Sequence, residues 1–421
     1  MVPTVKQLPQ ILLATIVAVL LVWIATKTGG QHQDNRILNR LADGGQFTDE
    51  ILSSPYNLDR VYKSMMGPRS NHGGIRLVDN LPDDETLWLT GIRTQVVDAD
   101  KLEPISNEFF CHSNLTLNPE TTSPDEHNQA FGNTTQADWR LFTLVPGRLS
   151  IQLPNGFGVP IKNGTLVDYY SMTLNQNPGY PNRKIRVRTQ ISGRYGAAAA
   201  EAIRPLYRRA LYVYQQHVPT EQQAAVKIPG DHATEHQGAL CAEDCKKQQI
   251  GQTASWSGQK PKGDAPVHPG ATCCVANASK DGVVGKFGEH NTVHWMVPPG
   301  EHVYRTEVTQ QMQLPMDTSV HYVTAHLHPF GKFMRLVDME KGEVVCEINS
   351  ESFEDRLGVA RMSEISSTDG IPIHRGRRYE LIAEYDNRLQ EPIDAMAILY
   401  LYAAAQPEKV AESLAASSKI E

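Results

Sequence analysis

Short stretches in which apolar and polar residues alternate are the feature that most constrains this chain. They include 85–97, 183–191 and 302–314, and clusters of Gly and Pro such as 146–147 and 298–300 separate them. Because successive side chains of a strand point to opposite faces, this pattern predicts short, half-buried strands joined by tight turns. We therefore expect a mainly β fold built from antiparallel, jelly-roll-like β-sandwiches.

The composition is that of a globular chain without a nucleic-acid partner. The 421 residues include 40 Lys and Arg against 47 Asp and Glu, which gives a net charge of −7, and 40% of them are hydrophobic. This is enough apolar material for about two to three domains of ordinary size. Nucleic-acid binding requires a basic surface, so we expect no such partner.

An uncharged apolar segment lies near the start of the chain, at 8–26. As a helix of about 19 residues it extends roughly 28 Å, close to the hydrocarbon thickness of a bilayer. The segment predicts an uncleaved, single-pass transmembrane helix within an anchor of residues 1–30, with the lipid bilayer as a partner. A cleaved signal peptide is the alternative, although no small-residue cleavage motif follows before Lys27.

Composition divides the remainder of the chain into five segments. We expect a polar tether with one short helix at 34–41, an N-terminal sandwich, a polar insertion, a C-terminal sandwich and a polar tail. Their bounds are 31–74, 75–214, 215–292, 293–405 and 406–421. The whole chain is then two sandwiches in tandem behind one membrane helix.

The insertion holds four of the six cysteines, namely Cys241, Cys245, Cys273 and Cys274. Adjacent cysteines rarely bond to each other, so two disulfides between the first pair and the second are expected, with the pairing left open. Disulfides favour an oxidising compartment, which places the body of the protein on the extracytoplasmic side, periplasmic or extracellular. The alternative is a metal site within the same segment, from His232, His236, Cys241 and Cys245.

A pair of histidines stands in the strand-like stretch 320–337. His326 and His328 are two residues apart, so both imidazoles point from the same face of a strand. Neutral imidazole is a ligand for copper, zinc and iron. The pair is a candidate metal site.

The surroundings of this pair resemble a known family. The stretch 296–332 carries PPGE at 298–301, a Met-Pro-Met-like element and the two histidines shortly before Gly-Lys. In this it resembles the C-terminal domain of the copper type II, ascorbate-dependent monooxygenases, the peptidylglycine α-hydroxylating and dopamine β-monooxygenase family. The likeness continues through 373–387 and 394–402. It implies copper ligands at His326, His328 and Met396, and a thioether beside two imidazoles favours copper over zinc.

The N-terminal half resembles the same family less closely, over 107–117, 145–178 and 204–214. The family implies a second, all-histidine copper site there, which stores the second electron of the reaction. Only His112 matches it, with Ser113 and Leu174 at the other two positions. We expect a degenerate second site and therefore one bound copper.

The substrate side has changed as well. The resemblance implies an Arg and an Asn that contact substrate, whereas this chain has Thr324 and Ile398. Tyr400 is kept as a possible substrate-pocket residue. Without a guanidinium, recognition of a peptide carboxylate loses its bidentate anchor.

Histidines elsewhere in the chain could replace the missing ligands of the second copper site. The candidates are His127, His232, His236, His268, His290 and His294.

These features predict a membrane-anchored, extracytoplasmic protein that keeps the monooxygenase architecture and one metal ion. We expect it to be a structural or accessory subunit of a membrane complex rather than a peptide hydroxylase, with no confident catalytic residue. The alternative is a one-copper oxidoreductase that uses His326, His328 and Met396. A zinc-stapled sandwich without redox chemistry is a third possibility.

Overall fold

The computed structural model describes residues 36–62, 67–122, 139–179, 182–216, 283–284, 290–312, 314 and 316–405. These residues form a mainly β protein, as the alternation predicts. Helices among them are short: α1 (Ala197–Ala202), α2 (Thr309–Met312) and the 3₁₀ helix Asn107–Phe109.

Twelve strands precede the insertion: β1 (Arg36–Asp43), β2 (Gln46–Leu52), β3 (Tyr56–Leu58), β4 (Arg69–Ile75), β5 (Thr86–Asp98), β6 (Phe110–Leu117), β7 (Arg140–Leu144), β8 (Ser150–Gln152), β9 (Phe157–Lys162), β10 (Val167–Thr173), β11 (Arg183–Arg194) and β12 (Arg204–Tyr212). The others are β13 (Gln215–Gln216), β14 (Val283–Val284), β15 (His290–Thr292), β16 (Trp295–Val297), β17 (Gly300–Glu307), β18 (Thr318–Leu327), β19 (Gly331–Asp338), β20 (Glu343–Ser352), β21 (Val359–Met362), β22 (Ile365–Ile373), β23 (Tyr379–Asn387), β24 (Ile393–Ala395) and β25 (Ala397–Ala404).

The strands form one large sheet and several smaller ones. The large sheet runs β1-β2-β11-β5-β9-β12-β25-β18-β22, and β3 and β8 pair with it at β11 and β5. A four-stranded sheet has the order β4-β10-β6-β7, and a five-stranded sheet has the order β17-β23-β19-β20-β21. Two small sheets, β13-β15-β14 and β16-β24, complete the set.

Two hydrophobic cores divide the described residues into two modules. The first core joins the large sheet to the four-stranded sheet, with Val96 of β5 and Leu115 of β6 fully buried. The second joins the large sheet to the five-stranded sheet, with Leu399 of β25 and Leu336 of β19 fully buried. In each module the large sheet therefore packs against a second layer across an apolar core.

The large sheet passes through both modules without a break. Strand β12 pairs antiparallel with β25, and Ala210 lies opposite Tyr400. Tyr322 and Tyr402, which lie in the C-terminal half of the sequence, belong to the first core. Leu211, which lies before residue 214, belongs in turn to the second core. A boundary at residue 214 therefore separates neither the sheet nor the two cores completely.

The expected tether is wrong over its described part. Residues 36–43 form β1 instead of a short helix, and β2, β3 and most of β4 also lie before residue 75. Strand β2 pairs with β11 from Gln46 to Leu52 and buries Ile51 and Leu52 completely. Pairing with a distant strand and burial of apolar side chains outweigh weak local preferences.

One predicted strand is shorter than its pattern suggests. The stretch 183–191 falls within β11, and 85–97 falls within β5 apart from its first residue. The stretch 302–314 contains most of β17, which ends at Glu307, followed by α2 from Thr309. Along β17 the residues alternate between exposed and half-buried from Glu301 to Glu307. A pattern of alternation therefore identified the strand but not its end.

Several predictions concern residues outside the described part of the chain. They are the membrane segment 8–26, the cysteines of the insertion with His232 and His236, and the tail 406–421. Within the described residues no helix has the length and apolar character needed to cross a bilayer.

Candidate metal centre

The end of β18 presents His326 and His328 on a buried face of the large sheet. Its neighbours Ala325 and Leu327 point into the second core. The two histidines therefore take the opposite face, and both are buried. Their ring centres lie 5.2 Å apart.

A third imidazole, that of His294, joins this pair from the residue before β16. Strand β16 pairs with β24, and Trp295 lies opposite Ala395. This pairing places Nδ1 of His294 at 3.4 Å from Oδ1 of Asp394. The ring centre of His294 lies 5.6 Å from that of His328.

Asp394 holds two of the three rings. Its Oδ2 lies 3.0 Å from Nδ1 of His328, and its carbonyl oxygen lies 3.3 Å from the same nitrogen. Burial by itself raises the pKa of Asp394, but the facing imidazoles of His294 and His328 outweigh it and hold that pKa well below its usual range. An ionised carboxylate on Nδ1 is the contact that orients a metal-binding histidine.

The spacing of these groups fits one metal ion. One ligand atom from each of His294, His328 and Asp394 lies within 4.8 Å of the others. Two imidazoles that bind one ion through bonds of about 2.0 Å hold their ring centres roughly 5 Å apart. The ring separation of 5.6 Å between His294 and His328 agrees with that geometry. The rings of His326 and His328 are 5.2 Å apart, although His326 is not a member of the group whose ligand atoms lie within 4.8 Å of one another.

Two ring nitrogens here have no hydrogen-bond partner among the described residues. They are Nε2 of His326 and Nε2 of His294, and both atoms are buried. Buried polar atoms are normally hydrogen-bonded, so each one without a partner requires an explanation. Burial, followed by the nearby His328 and His112, holds the pKa of His326 well below its usual value. A neutral ring keeps a lone pair for a metal.

Met396 lies at the junction of β24 and β25. The register of β18 and β25 pairs His326 with Ile398 and Leu327 with Ala397, so the next step along it brings Met396 opposite His328. The Met396 side chain is 1% exposed and packs in a small apolar cluster. Its carbonyl oxygen accepts a hydrogen bond from the hydroxyl of Tyr385 at 2.7 Å.

Tyr400 occupies the same sheet face, further from the histidines. It lies opposite Thr324 on β18 and is 3% exposed. The Arg208 guanidinium stands 4.5 Å from the centre of the Tyr400 ring. Tyr400 is not among the residues that line the cavity beside the histidines. Its assignment to a substrate pocket stays a prediction.

His112 is completely buried on β6 of the N-terminal module. Its Nδ1 lies 3.2 Å from the Sγ of Cys111, and its ring packs 5.4 Å from that of Tyr170. Burial, with the charges of Arg140, Arg69 and His328, lowers the pKa of His112 to about 3.

A cavity of about 30 Å³ separates the two modules at this point. Its lining includes Phe110 and Cys111 from the N-terminal module and His326, His328 and Val359 from the C-terminal module. A volume of this size is the share of one liquid water molecule, about 30 Å³. Residues of both modules therefore meet at the histidines.

No protein-family model matches this chain, and no curated protein matches it. It is similar to the solved structure of the major capsid protein P2 from bacteriophage PM2, at 9% identity and a TM-score of 0.26, over 84% of this chain and 97% of that one. The PBCV-1 virus capsid is similar at 5% identity and a TM-score of 0.26, over 88% and 97%. The solved structure of infectious bursal disease virus, Gx strain, is similar at 8% identity and a TM-score of 0.17, over 87% of this chain and 73% of that one. TM-scores this low carry no argument about fold or function.

The sequence identified only part of this group. His294 was one of six histidines considered as replacement ligands, and of the others His290 lies in β15 while His127, His232, His236 and His268 fall outside the described residues. Asp394 was not singled out. The pairing of β16 with β24 brings His294 and Asp394 together. These strands are about 100 residues apart in sequence, so no local pattern predicts the contact.

Proposed function

We propose that this protein binds one copper ion through the Nε2 atoms of His294, His326 and His328, with Met396 as a thioether ligand. The buried Nε2 of His326, which has no hydrogen-bond partner among the described residues, is the observation that carries the proposal. Coordination would satisfy this atom, whose burial otherwise costs about 1–3 kcal/mol. Asp394 would orient the rings of His294 and His328 through contacts with their Nδ1 atoms, on the side of each ring opposite the metal.

Copper is proposed over zinc because of the donor set. Thioether sulfur is a soft ligand that favours Cu(I), whereas zinc sites use thiolate, imidazole and carboxylate. The resemblance to the copper type II monooxygenases supports the same choice, since it implies His326, His328 and Met396 as the ligands. His294 is the member that the structure adds to this set.

We propose that the copper centre belongs to a membrane-anchored, extracytoplasmic accessory subunit rather than to a peptide hydroxylase. The second copper site keeps only His112, so the store for a second electron is missing. Thr324 stands where the resemblance implies a substrate-binding Arg, and its hydroxyl donates to the carbonyl oxygen of Ser363 at 3.2 Å. The proposed anchor is the segment 8–26, and the proposed partners are other subunits of a membrane complex.

A one-copper oxidoreductase is the second candidate function. The cavity beside His326 and His328 has room for a ligand about the size of one water molecule. Such a site would use a small reactant, with electrons supplied by an external reductant. This cavity is the observation that favours the second candidate function.

Metal analysis of the full chain tests the copper centre. We expect one copper per chain after reconstitution with copper and dialysis, and a loss of that copper in His326→Ala. The control is His302→Ala, because His302 lies on β17 away from the site, with its Nε2 near the Pro299 carbonyl oxygen. Copper in the unsubstituted protein no higher than in His326→Ala would end the proposal, and a preference for zinc over copper would favour the non-redox alternative.

Purification in detergent tests the accessory role. An accessory subunit is expected to co-purify with at least one other membrane protein at a fixed ratio. A monodisperse monomer that carries copper and oxidises a reductant on its own would instead favour the oxidoreductase.

A further inference from the structure

Strand β17 forms one edge of the five-stranded sheet. It pairs with β23, and no other strand among the described residues pairs with it. The pairing has no register shift between Gly300 opposite Asn387 and Glu307 opposite Glu380. Edge strands are commonly protected against another chain by a bulge, a proline, a lysine or a very short length. The eight residues GEHVYRTE of β17 contain none of these devices, so the strand can accept another strand beside it.

The backbone groups of every second β17 residue point to the side of the strand away from β23, which we call the open edge. Just beyond the strand, the Val308 amide donates to the carbonyl oxygen of Tyr379 at 2.8 Å, and these two residues continue the register of the ladder. Residues of an antiparallel pair alternate between hydrogen-bonded and non-hydrogen-bonded positions. The even-numbered residues of β17 therefore bond to β23. The odd-numbered residues from Glu301 to Glu307 direct their N–H and C=O groups to the open edge.

The same odd-numbered residues carry exposed side chains. Val303 is 51% exposed and stands between Glu301 and Arg305. Arg305 already contacts Glu380, with Nη1 at 2.7 Å from Oε2. Lys332 contacts Glu301, with Nζ at 3.3 Å from Oε1. A guanidinium has five N–H donors and a carboxylate has about four acceptor sites, so both charged groups can take a second partner.

The order of these residues makes the strand self-complementary. When two copies of β17 lie antiparallel with Val303 opposite Val303, Glu301 of each copy lies opposite Arg305 of the other. The odd-numbered residues then form the hydrogen-bonded pairs, as the open edge requires. The next register in one direction puts Glu301 opposite Glu307, and the next in the other direction puts Glu301 opposite Val303. Cross-strand pairs of opposite charge stabilise a sheet and like charges destabilise it, so the register centred on Val303 is favoured.

We propose that two copies of this chain pair through β17 about a two-fold axis at Val303, which joins their five-stranded sheets into one continuous sheet. In a two-fold contact each copy supplies the same surface, so the assembly closes at two copies. Main-chain hydrogen bonds between the two edge strands supply the affinity. The pairs of Glu301 with Arg305 set the register. This inference is independent of the proposed copper centre.

Analytical ultracentrifugation of the full chain in detergent measures the association. We expect a dimer, with an association constant about tenfold or more weaker in Arg305→Glu and in Glu301→Arg, because each change places two like-charge pairs about the two-fold axis. The double variant, Glu301→Arg with Arg305→Glu, restores opposite charges and should restore the dimer. The control is Arg361→Glu, since Arg361 forms an exposed ion pair with Glu351 at 3.7 Å and lies on β21, at the other edge of the same sheet.

Disulfide trapping tests the position of the two-fold axis. Residues opposite each other in a hydrogen-bonded pair have Cα atoms about 5.5 Å apart, a distance that a disulfide spans. Val303→Cys should therefore give a linked dimer under mild oxidation, whereas Val344→Cys, equally exposed at 52% on β20, should not. A monomer at micromolar concentrations would overturn the proposal. A dimer that Arg305→Glu leaves intact, or that Val344→Cys links as readily as Val303→Cys, would overturn it as well.

Discussion

At the scale of single residues, one carboxylate contacts two imidazoles, and a third imidazole of the group has a buried nitrogen without a hydrogen-bond partner among the described residues. Asp394 contacts Nδ1 of His294 and of His328, while Nε2 of His326 has no hydrogen-bond partner among the described residues. Another histidine of the same strand, His321, has both ring nitrogens engaged, by Ser319 at 2.8 Å and by the Ser367 carbonyl oxygen at 2.9 Å. His321 thus has both ring nitrogens satisfied, whereas His326 has a buried nitrogen that is not.

Replacement of each histidine by leucine should give opposite results in the metal-free protein. His321→Leu leaves the Ser367 carbonyl oxygen and the Ser319 hydroxyl without their partner, so we expect a loss of about 1–3 kcal/mol in the free energy of unfolding. His326→Leu removes an unsatisfied group, so we expect no loss or a gain of about 1 kcal/mol, together with loss of copper binding. Urea unfolding of both variants measures the difference. Equal destabilisation by the two changes would show that His326 has a structural role instead.

Asp394→Asn should weaken the metal site without removing a ligand. The amide keeps the shape of the carboxylate but not its charge, and loss of such an orienting partner typically costs about 10–100-fold in metal affinity. The matched control is Asp317→Asn, because Asp317 contacts the exposed His374 at 3.1 Å, away from the site. Competition with a copper chelator gives both affinities. An unchanged affinity in Asp394→Asn would mean that Asp394 does not orient the rings.

At the scale of elements, strand ends and turns bring the two modules together. The turn between β7 and β8 places Gly147 against β21, where its carbonyl oxygen accepts a hydrogen bond from the Met362 amide at 3.0 Å. Gly147 has a φ of +76°, and a Cβ there would lie 2.7 Å from the Arg361 carbonyl carbon. The approach of two backbones at this turn requires a residue without a side chain.

Gly147→Ala is therefore expected to disturb the contact between modules. Gly342 is a matched control, since its φ is +67° and a Cβ there meets nothing within 4 Å. Gly342→Ala should cost only the left-handed backbone strain, about 1–2 kcal/mol. Gly147→Ala should cost more than that, because the added Cβ would also meet the backbone of β21. Chemical denaturation of both variants measures this, and equal effects would contradict a close contact at Gly147.

At the scale of the whole molecule, burial of neutral histidines couples stability to pH. Burial lowers the pKa of His112 from 6.5 to about 3 and also lowers those of His321 and His326. The folded metal-free protein therefore binds fewer protons than the unfolded chain in this range.

The free energy of unfolding of the metal-free protein should consequently fall as pH decreases from 6.5 towards about 3. From about one pH unit above 6.5 the histidines are neutral in both states and the effect disappears. Chemical denaturation at a series of pH values measures the slope. The slope should decrease in His321→Leu, and a slope independent of this substitution would contradict a buried neutral His321.

Sequence patterns predicted the parts of this molecule that depend on neighbouring residues. Alternation identified β5 and β11, and the spacing of two residues placed His326 and His328 on one face of β18. The stretch 31–74 lacked such a pattern, yet 36–43 forms β1 and 46–52 forms β2. Pairing with β11 made β2 a strand, and that pairing depends on residues more than 130 positions away, as for Leu52 opposite Arg188.

The β class, the two turn-rich halves and the position of His326 and His328 on one face follow from sequence alone, because a strand repeats every two residues and its period is visible locally. The pairing and packing of distant strands instead made one sheet join both modules, brought Asp394 and His294 to His328, and placed Cys111 and His326 in the lining of one small cavity. These contacts join residues far apart in the chain. They depend on which strands pair and on how closely two cores pack, which are properties of the whole chain and not of any single segment of it.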